Sequence, residues 1–142
     1  ASWLGRRCPP GWWYQARLFR SPGNAALHVE GAATGTASVR ACKVGVVLSD
    51  GKSRLAYVPG AAAVTPALKQ RLSRADVILF DGTLFTDDEM IRSGTGTKTG
   101  RRMGHMPIDG PDGSIAAPEG LSARAIFVHI NTTSHTLHDG SP

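Results

Sequence analysis

The chain has 142 residues, of which 41% are hydrophobic, enough for one domain with a buried core. No apolar run approaches the roughly 18 residues of a membrane span, and no secretory leader is visible, so we expect a cytoplasmic protein without a membrane partner. Residues 1–20 hold four arginines and no acid, which leaves 12 basic and 11 acidic residues elsewhere, so the net charge of +5 does not indicate a nucleic-acid-binding domain.

The first 20 residues show no clean periodicity and contain all three tryptophans. A basic, aromatic segment of this kind could stack on single-stranded nucleic acid, but we favour a segment with no fold of its own. We therefore leave residues 1–20 unassigned and place one domain in residues 21–142. Residues 21–42 are rich in small residues and predict a loop, with one short strand at 26–29.

Residues 43–74 predict a hairpin followed by a helix. Two β-rich runs, 44–48 and 54–58, are joined through Asp50-Gly51, and the glycine supplies the positive φ that a hairpin turn needs. Thr65-Pro66 has the pattern of a helix N-cap followed by the first helical residue, and the helix should run to about Arg74. Together with the next strand, this order predicts an α/β fold.

Residues 76–90 contain a fully buried strand, Val77 to Phe80, that ends at Asp81. Ligands of open α/β sheets bind at the carboxyl ends of strands, so Asp81 is a candidate site residue. The alternative is that Asp81 only turns the backbone there. Thr86 and Glu89 have the spacing of a capping box, which predicts a short helix that Gly94 ends.

The last third of the chain combines a long loop with a second strand. Residues 94–113 are turn-rich and lack both the Walker spacing and a following helix, so we reject a phosphate-binding loop. Residues 114–123 predict a short helix, and residues 125–131 predict a buried strand that bears His129. The tail, 132–142, shows no closing element.

Asp81, His105 and His129 form the candidate site. If the two buried strands are parallel neighbours, Asp81 and His129 lie at one edge of the sheet, and His105 reaches them from the loop. A carboxylate beside two imidazoles suits either a metal site or a histidine oriented by an acid. Taken singly, each histidine is more often a structural, hydrogen-bonded residue. The shared edge is what favours function.

Four segments closely resemble the coenzyme PQQ synthesis protein B family. They are LAYVPG (55–60), ADVILFDGTLFTDDEMI (75–91), KTGRRMGHMPIDGPDGSI (98–115) and IFVHIN (126–131). The resemblance implies part of a metallo-β-lactamase-like αββα sandwich and a role in making the redox cofactor pyrroloquinoline quinone (PQQ). The implied activities are metal-dependent hydroxylation of a peptide-derived precursor, or carriage of PQQ towards the periplasm. The resemblance also suggests a homodimer.

The resemblance assigns a role to each candidate residue. His129 matches the last metal-binding histidine of the superfamily, for a metal that would be iron or zinc. Asp81 and His105 match an acid–histidine pair beside the metals and become the candidate catalytic residues. The HxHxDH metal motif is absent, so tight metal binding by this chain alone is not expected, because one His and one Asp fall short of three ligands.

Two further departures from the family and the superfamily limit the assignment of an activity. Val58-Pro59-Gly60 stands where many superfamily members place a metal-bridging acid, which argues against two-metal hydrolysis. HINTTSHTL replaces the family's HINNTNPIL after residue 128, a change that could loosen the edge next to His129. The alternatives are a superfamily hydrolase or nuclease fragment, and a non-catalytic quinone-binding module with Lys98, Arg101 and Arg102 as its basic edge.

Overall fold

Six strands form one mixed sheet. In the computed structural model, which describes residues 4–7, 13–23, 43–116 and 119–137, the strands lie side by side in chain order. Neighbours from the first to the fourth strand are antiparallel, whereas the fourth, fifth and sixth are parallel. The strands are β1 (Leu4–Arg7), β2 (Trp13–Ser21), β3 (Lys43–Ser49), β4 (Arg54–Val58), β5 (Val77–Asp81) and β6 (Arg124–Val128). The α/β prediction is confirmed.

The predicted hairpin is present as β3 and β4. Gly51 has φ of 90°, and the Asp50 carboxylate accepts the backbone N–H groups of Lys52 and Ser53. These hydrogen bonds lower the pKa of Asp50, and the bond from Ser53 has the largest effect. The register pairs Val46 with Tyr57, so the start of β3 lies beside the carboxyl end of β4.

The expectation that residues 1–20 lack a fold is wrong. Residues 4–7 and 13–21 form β1 and β2, and β2 pairs with β3 across the predicted boundary at residue 20. Phe19 is buried. A Cβ at Gly45 would lie only 2.4 Å from the Phe19 ring, so the glycine makes room for that ring. The strand predicted at 26–29 falls outside the described residues.

Among the described residues, three short α-helices connect the strands, and α1 (Pro66–Leu72) is the one predicted best. Thr65 accepts the N–H of Leu68 as its N-cap, and Pro66 is the first helical residue, as predicted; the helix ends slightly before Arg74. The short helix predicted before Gly94 is also present, as α2 (Glu89–Arg92).

The capping box and the helix-free loop were wrong predictions. Asp88 stands at the N-cap of α2, and the Glu89 carboxylate instead accepts the N–H of Phe85 at 2.8 Å. The loop 94–113 contains α3 (Gly100–Met103), which Thr99 caps. This helix is too short to give a periodic sequence signal.

The core lies between one face of the sheet and α1. Ala56, Val58, Ile78 and Phe80 alternate along β4 and β5 towards that face, where Leu68 and Leu72 of α1 are buried. The other face is open in the described part of the chain. The prediction of fully buried strands is therefore wrong for β5, where alternate residues are partly exposed, and for β6, which contains no buried residue.

Two predictions near the end of the chain also differ from the structure. Described residues 114–116 and 119–120 form turns and 121–123 are irregular, so the predicted helix is absent from these residues; the tail contains a 3-10 helix, His135–Leu137, where no element was expected. Within the described ranges, no helix has the length and apolar character needed to cross a membrane.

Candidate functional site

Asp81, the last residue of β5, is fully buried. One carboxylate oxygen, Oδ2, accepts the backbone N–H of Ala61 at 3.0 Å. The other, Oδ1, accepts the N–H of Thr83 at 3.2 Å and its hydroxyl at 2.6 Å. Neutral donors therefore satisfy the buried carboxylate. Its bonds to Thr83 stabilise the turn after β5, which was the alternative role suggested for Asp81, but the same carboxylate also faces the site.

His105 reaches Asp81 from the loop after α3. Gly104, with φ of 86°, ends α3, and the next residues are fixed because the N–H of Met106 donates to the carbonyl of Ala61 at 2.7 Å. His105 Nδ1 then lies 2.9 Å from Asp81 Oδ2 and 3.0 Å from Oδ1. The contact that the sequence predicted between these two side chains is present.

His129 follows the end of β6. The parallel register aligns Val128 with Asp81, and the N–H of Gly82 donates to the carbonyl of Val128 at 2.8 Å. A Cβ at Gly82 would lie only 2.9 Å from Cβ of Phe127, so the glycine permits this close approach. His129 has φ of 62°, a left-handed conformation that a non-glycine residue rarely adopts.

The three predicted site residues converge. The rings of His105 and His129 are stacked, with centroids 5.5 Å apart and planes inclined by 23°. Asp81 and both histidines each offer a ligand atom within 4.8 Å of the others, and they are the metal-ligand group found among the described residues. A parallel pair of strands and a loop that folds back account for this convergence, as predicted.

Thr83 connects the site and is missing from the sequence-based prediction. Its hydroxyl lies 2.6 Å from Asp81 Oδ1, 2.7 Å from His129 Nδ1 and 2.9 Å from His105 Nδ1. Its position two residues after a strand-end Asp could have indicated it, because short polar side chains bond locally at such turns.

Lys43 is the other missing residue. Its Nζ lies 2.6 Å from His105 Nε2, and the side chain is half-buried. Burial lowers the pKa of Lys43 from its ordinary value, and the charge of Asp81 opposes that shift. The predicted hairpin could have indicated this residue, because its register puts the first residue of β3 beside the segment that follows β4.

One assignment of protons satisfies the contacts of Asp81, His129 and Lys43. His105 Nδ1–H and the Thr83 hydroxyl donate to Asp81, His129 Nδ1–H donates to the Thr83 oxygen, and Lys43 donates to His105 Nε2. No described residue bonds to Nε2 of His129, which keeps its lone pair. A histidine whose Nδ1–H is held by a protein oxygen is the usual form of a metal ligand, so His129 fits a metal ion.

The segment after His129 remains attached to the site despite its altered sequence. The N–H of Asn131 donates to the carbonyl of Thr83 at 3.0 Å, and the Thr133 hydroxyl donates to Glu89 at 2.9 Å. Arg101, one of the three residues of the basic edge suggested for quinone binding, donates to the backbone carbonyl of Asp112 at 3.2 Å.

Comparison with known proteins places this site in a family. The model of the β-lactamase superfamily domain matches residues 12–130, which include all five site residues. The chain belongs to the β-lactamase superfamily. A solved metallo-β-lactamase fold protein, YhfI from Bacillus subtilis, is 13% identical with a TM-score of 0.52 over 91% of the chain and 40% of that protein, and so supports the fold alone.

Within the superfamily, the chain is similar to coenzyme PQQ synthesis protein B. It is 52% identical over 127 residues to the protein of Ruegeria pomeroyi and 50% identical over 127 residues to that of Rhizobium meliloti, which is 89% of this chain in both cases. The zinc-bound PqqB structure from Methylobacterium extorquens is 40% identical, with a TM-score of 0.74 over 96% of the chain. The matched part is the C-terminal part of these relatives.

The chain spans less than half the length of the relatives that it matches. It covers 43% of the Ruegeria protein and 42% of the Rhizobium and Methylobacterium proteins. The fold is accordingly a partial metallo-β-lactamase-like fold, with one sheet described.

Proposed function

We propose that this chain serves PQQ biosynthesis as part of a protein like coenzyme PQQ synthesis protein B. The observation that carries the proposal is the convergence of Asp81, His105 and His129 in a chain 52% identical to such a protein. The reaction class is metal-dependent hydroxylation of a peptide-derived precursor.

His129 is the residue of this chain that would hold the metal, through Nε2, together with ligands from the rest of a full-length protein. The ion, iron or zinc, would supply Lewis acidity when bound; hydroxylation would also need O₂ as the oxidant and a redox-active ion, which iron provides and zinc does not. The hydrogen bond from His129 Nδ1 to Thr83 fixes the ring orientation and leaves Nε2 for the metal.

Asp81 and His105 are the proton-transfer pair. The carboxylate holds the proton on Nδ1 of His105, which leaves Nε2 as the nitrogen that accepts or releases a proton. Lys43 donates to that nitrogen, so a substrate group that exchanges a proton with Nε2 of His105 must first displace the ammonium. The side chain of His105 is 13% exposed, which leaves it within reach of a ligand.

A chimera tests the proposal. This chain replaces the matching C-terminal part of the Ruegeria pomeroyi protein in a strain without its own copy, and PQQ is measured by mass spectrometry. We expect PQQ from the chimera and its loss in Asp81→Asn, His105→Gln and His129→Gln. Lys52→Gln, on the exposed hairpin turn, is the control. A folded chimera that makes no PQQ, or full output from the three site variants, contradicts the proposal.

A further inference from the structure

We infer that Lys43 keeps metal ions off His105 and so leaves His129 as the metal ligand of this site. The inference rests on the proposed function for the roles of the two histidines, and it adds a positioning residue that determines which of them the metal contacts. It follows from three features of the site: the partners of the His105 ring, the space that holds Lys43, and the charge of the ammonium group.

Both ring nitrogens of His105 already have partners. Nδ1 bonds to the buried Asp81 carboxylate, which two backbone N–H groups fix in place. Nε2 lies 2.6 Å from Nζ of Lys43. An imidazole has only two nitrogens, and a metal needs the lone pair of one of them. A metal can therefore reach His105 only by displacing the lysine or by breaking the bond to Asp81.

Two glycines hold the lysine side chain against the ring. A Cβ at Gly60 would lie 3.0 Å from Lys43 Nζ and 3.3 Å from Cε1 of His105, and one at Gly23 would lie 3.0 Å from Lys43 Cδ. Lys43 itself is fixed as the first residue of β3, paired with Ser21 of β2. Because Gly23 and Gly60 have no side chains, they leave a slot for Lys43 that directs its ammonium group to Nε2 of His105.

Charge acts in the same direction. A protonated lysine beside His105 repels a second cation, and the side chain is half-buried, so water screens the repulsion less than at an exposed position. No described residue bonds to His129 Nε2, and the stacked rings place His129 next to His105, with their ligand atoms within 4.8 Å of each other. The site thus separates a metal ligand from a proton carrier.

Metal titration of the 142-residue chain tests the inference. Zn²⁺ and Co²⁺ binding is measured by calorimetry and cobalt absorption, and the ring ¹⁵N signals report which histidine is bound. In the unmodified chain, we expect no zinc-induced shift of the His105 signals at concentrations that shift those of His129. Lys43→Met should raise the affinity by about tenfold or more and shift both rings. Lys43→Arg, which keeps a charged donor, should behave like the unmodified chain.

A second variant leaves the lysine in place. Gly60→Ala puts a methyl group against Nζ and should push the flexible ammonium away from His105, with a smaller gain in affinity than Lys43→Met. Lys52→Met, which removes an exposed lysine in the hairpin turn, is the matched control and should change nothing. If Lys43→Met does not fold, Gly60→Ala and the unmodified chain still decide the question.

Equal metal affinity in Lys43→Met and the unmodified chain would overturn the inference, as would zinc-induced shifts of His105 in the unmodified chain. The result is independent of PQQ production. A tenfold gain in Lys43→Met together with a PQQ-negative chimera would reject the proposed function and keep the role of the lysine.

Discussion

The Thr83 hydroxyl donates to a buried carboxylate and accepts from a histidine, so a methyl group in its place removes one of the hydrogen bonds of Asp81 and leaves His129 Nδ1 without its partner. We expect Thr83→Val to lower the free energy of unfolding by about 1–2 kcal/mol, because two hydrogen bonds are lost while Asp81 keeps its other donors and His129 is exposed to water. Thr83→Ser keeps the hydroxyl and should lie close to the unmodified chain. Urea denaturation measures the difference, and equal stability of the Val and Ser variants would show that the hydroxyl is not bonded in solution.

His129 adopts a left-handed backbone conformation, which a glycine accepts without strain. His129→Gly and His129→Ala both remove the imidazole, so their comparison isolates the backbone. We expect the Ala variant to be less stable than the Gly variant by roughly 1 kcal/mol, because Cβ crowds the carbonyl oxygen in that conformation. Thermal and urea unfolding of the two variants measure this. An Ala variant at least as stable as the Gly variant would contradict the strained backbone.

The sequence leads to three of the five site residues and misses two. Asp81 and His129 follow from strand patterns and parallel topology, because each stands at the end of a strand that the sequence predicts, whereas His105 follows from its place in the long loop and from the family resemblance. Thr83 and Lys43 act through tertiary contacts, to His129 and His105 respectively, that no local pattern contains.

At the scale of elements, α2 connects the two segments that hold the site. The Glu89 side chain is buried, accepts the N–H of Phe85 after β5 at 2.8 Å and accepts the Thr133 hydroxyl after β6 at 2.9 Å. We expect Glu89→Ala to cost about 2–3 kcal/mol of unfolding free energy, because two hydrogen bonds to a charged group are lost. Glu119→Ala, at an exposed position, is the control, and denaturant unfolding of both variants is the measurement.

Elements whose determinants are local were predicted well, and those that depend on distant partners were not. The Asp50-Gly51 turn and the Thr65-Pro66 helix start depend on neighbouring residues alone, and both are present. The capping box failed because Glu89 has partners on two other segments, which outweigh a bond to its own helix. β2 was missed because its pairing with β3 joins residues far apart in the chain.

At the scale of the whole molecule, one face of the sheet is open in the described part of the chain. Leu18, Tyr57 and Ile126 lie in one row across the sheet and are 51%, 36% and 39% exposed. We expect the 142-residue chain to bind a dye specific for exposed apolar surface and to unfold over a broad temperature range. Sharp, cooperative unfolding of a monomer without dye binding would contradict this.

The double variant Tyr57→Lys/Ile126→Lys sharpens that experiment. The two substitutions lie on the open face of the sheet and leave the core face unchanged, because the core residues of β4 and β5 point to the opposite face. We expect lower dye binding with a small change in unfolding midpoint, and calorimetry with dye fluorescence measures both quantities. A large loss of stability would mean that this face is buried in solution.

The proton arrangement of Asp81, His105 and His129 is the centre of the proposed chemistry, and ring ¹⁵N NMR of the two histidines tests it most directly. We expect both imidazoles to carry their proton on Nδ1 when neutral, as the bonds to Asp81 and Thr83 require, and Asp81→Asn to change the nitrogen shifts of His105. His105 protonated on Nε2, or unaffected by Asp81→Asn, would contradict the proton-transfer pair.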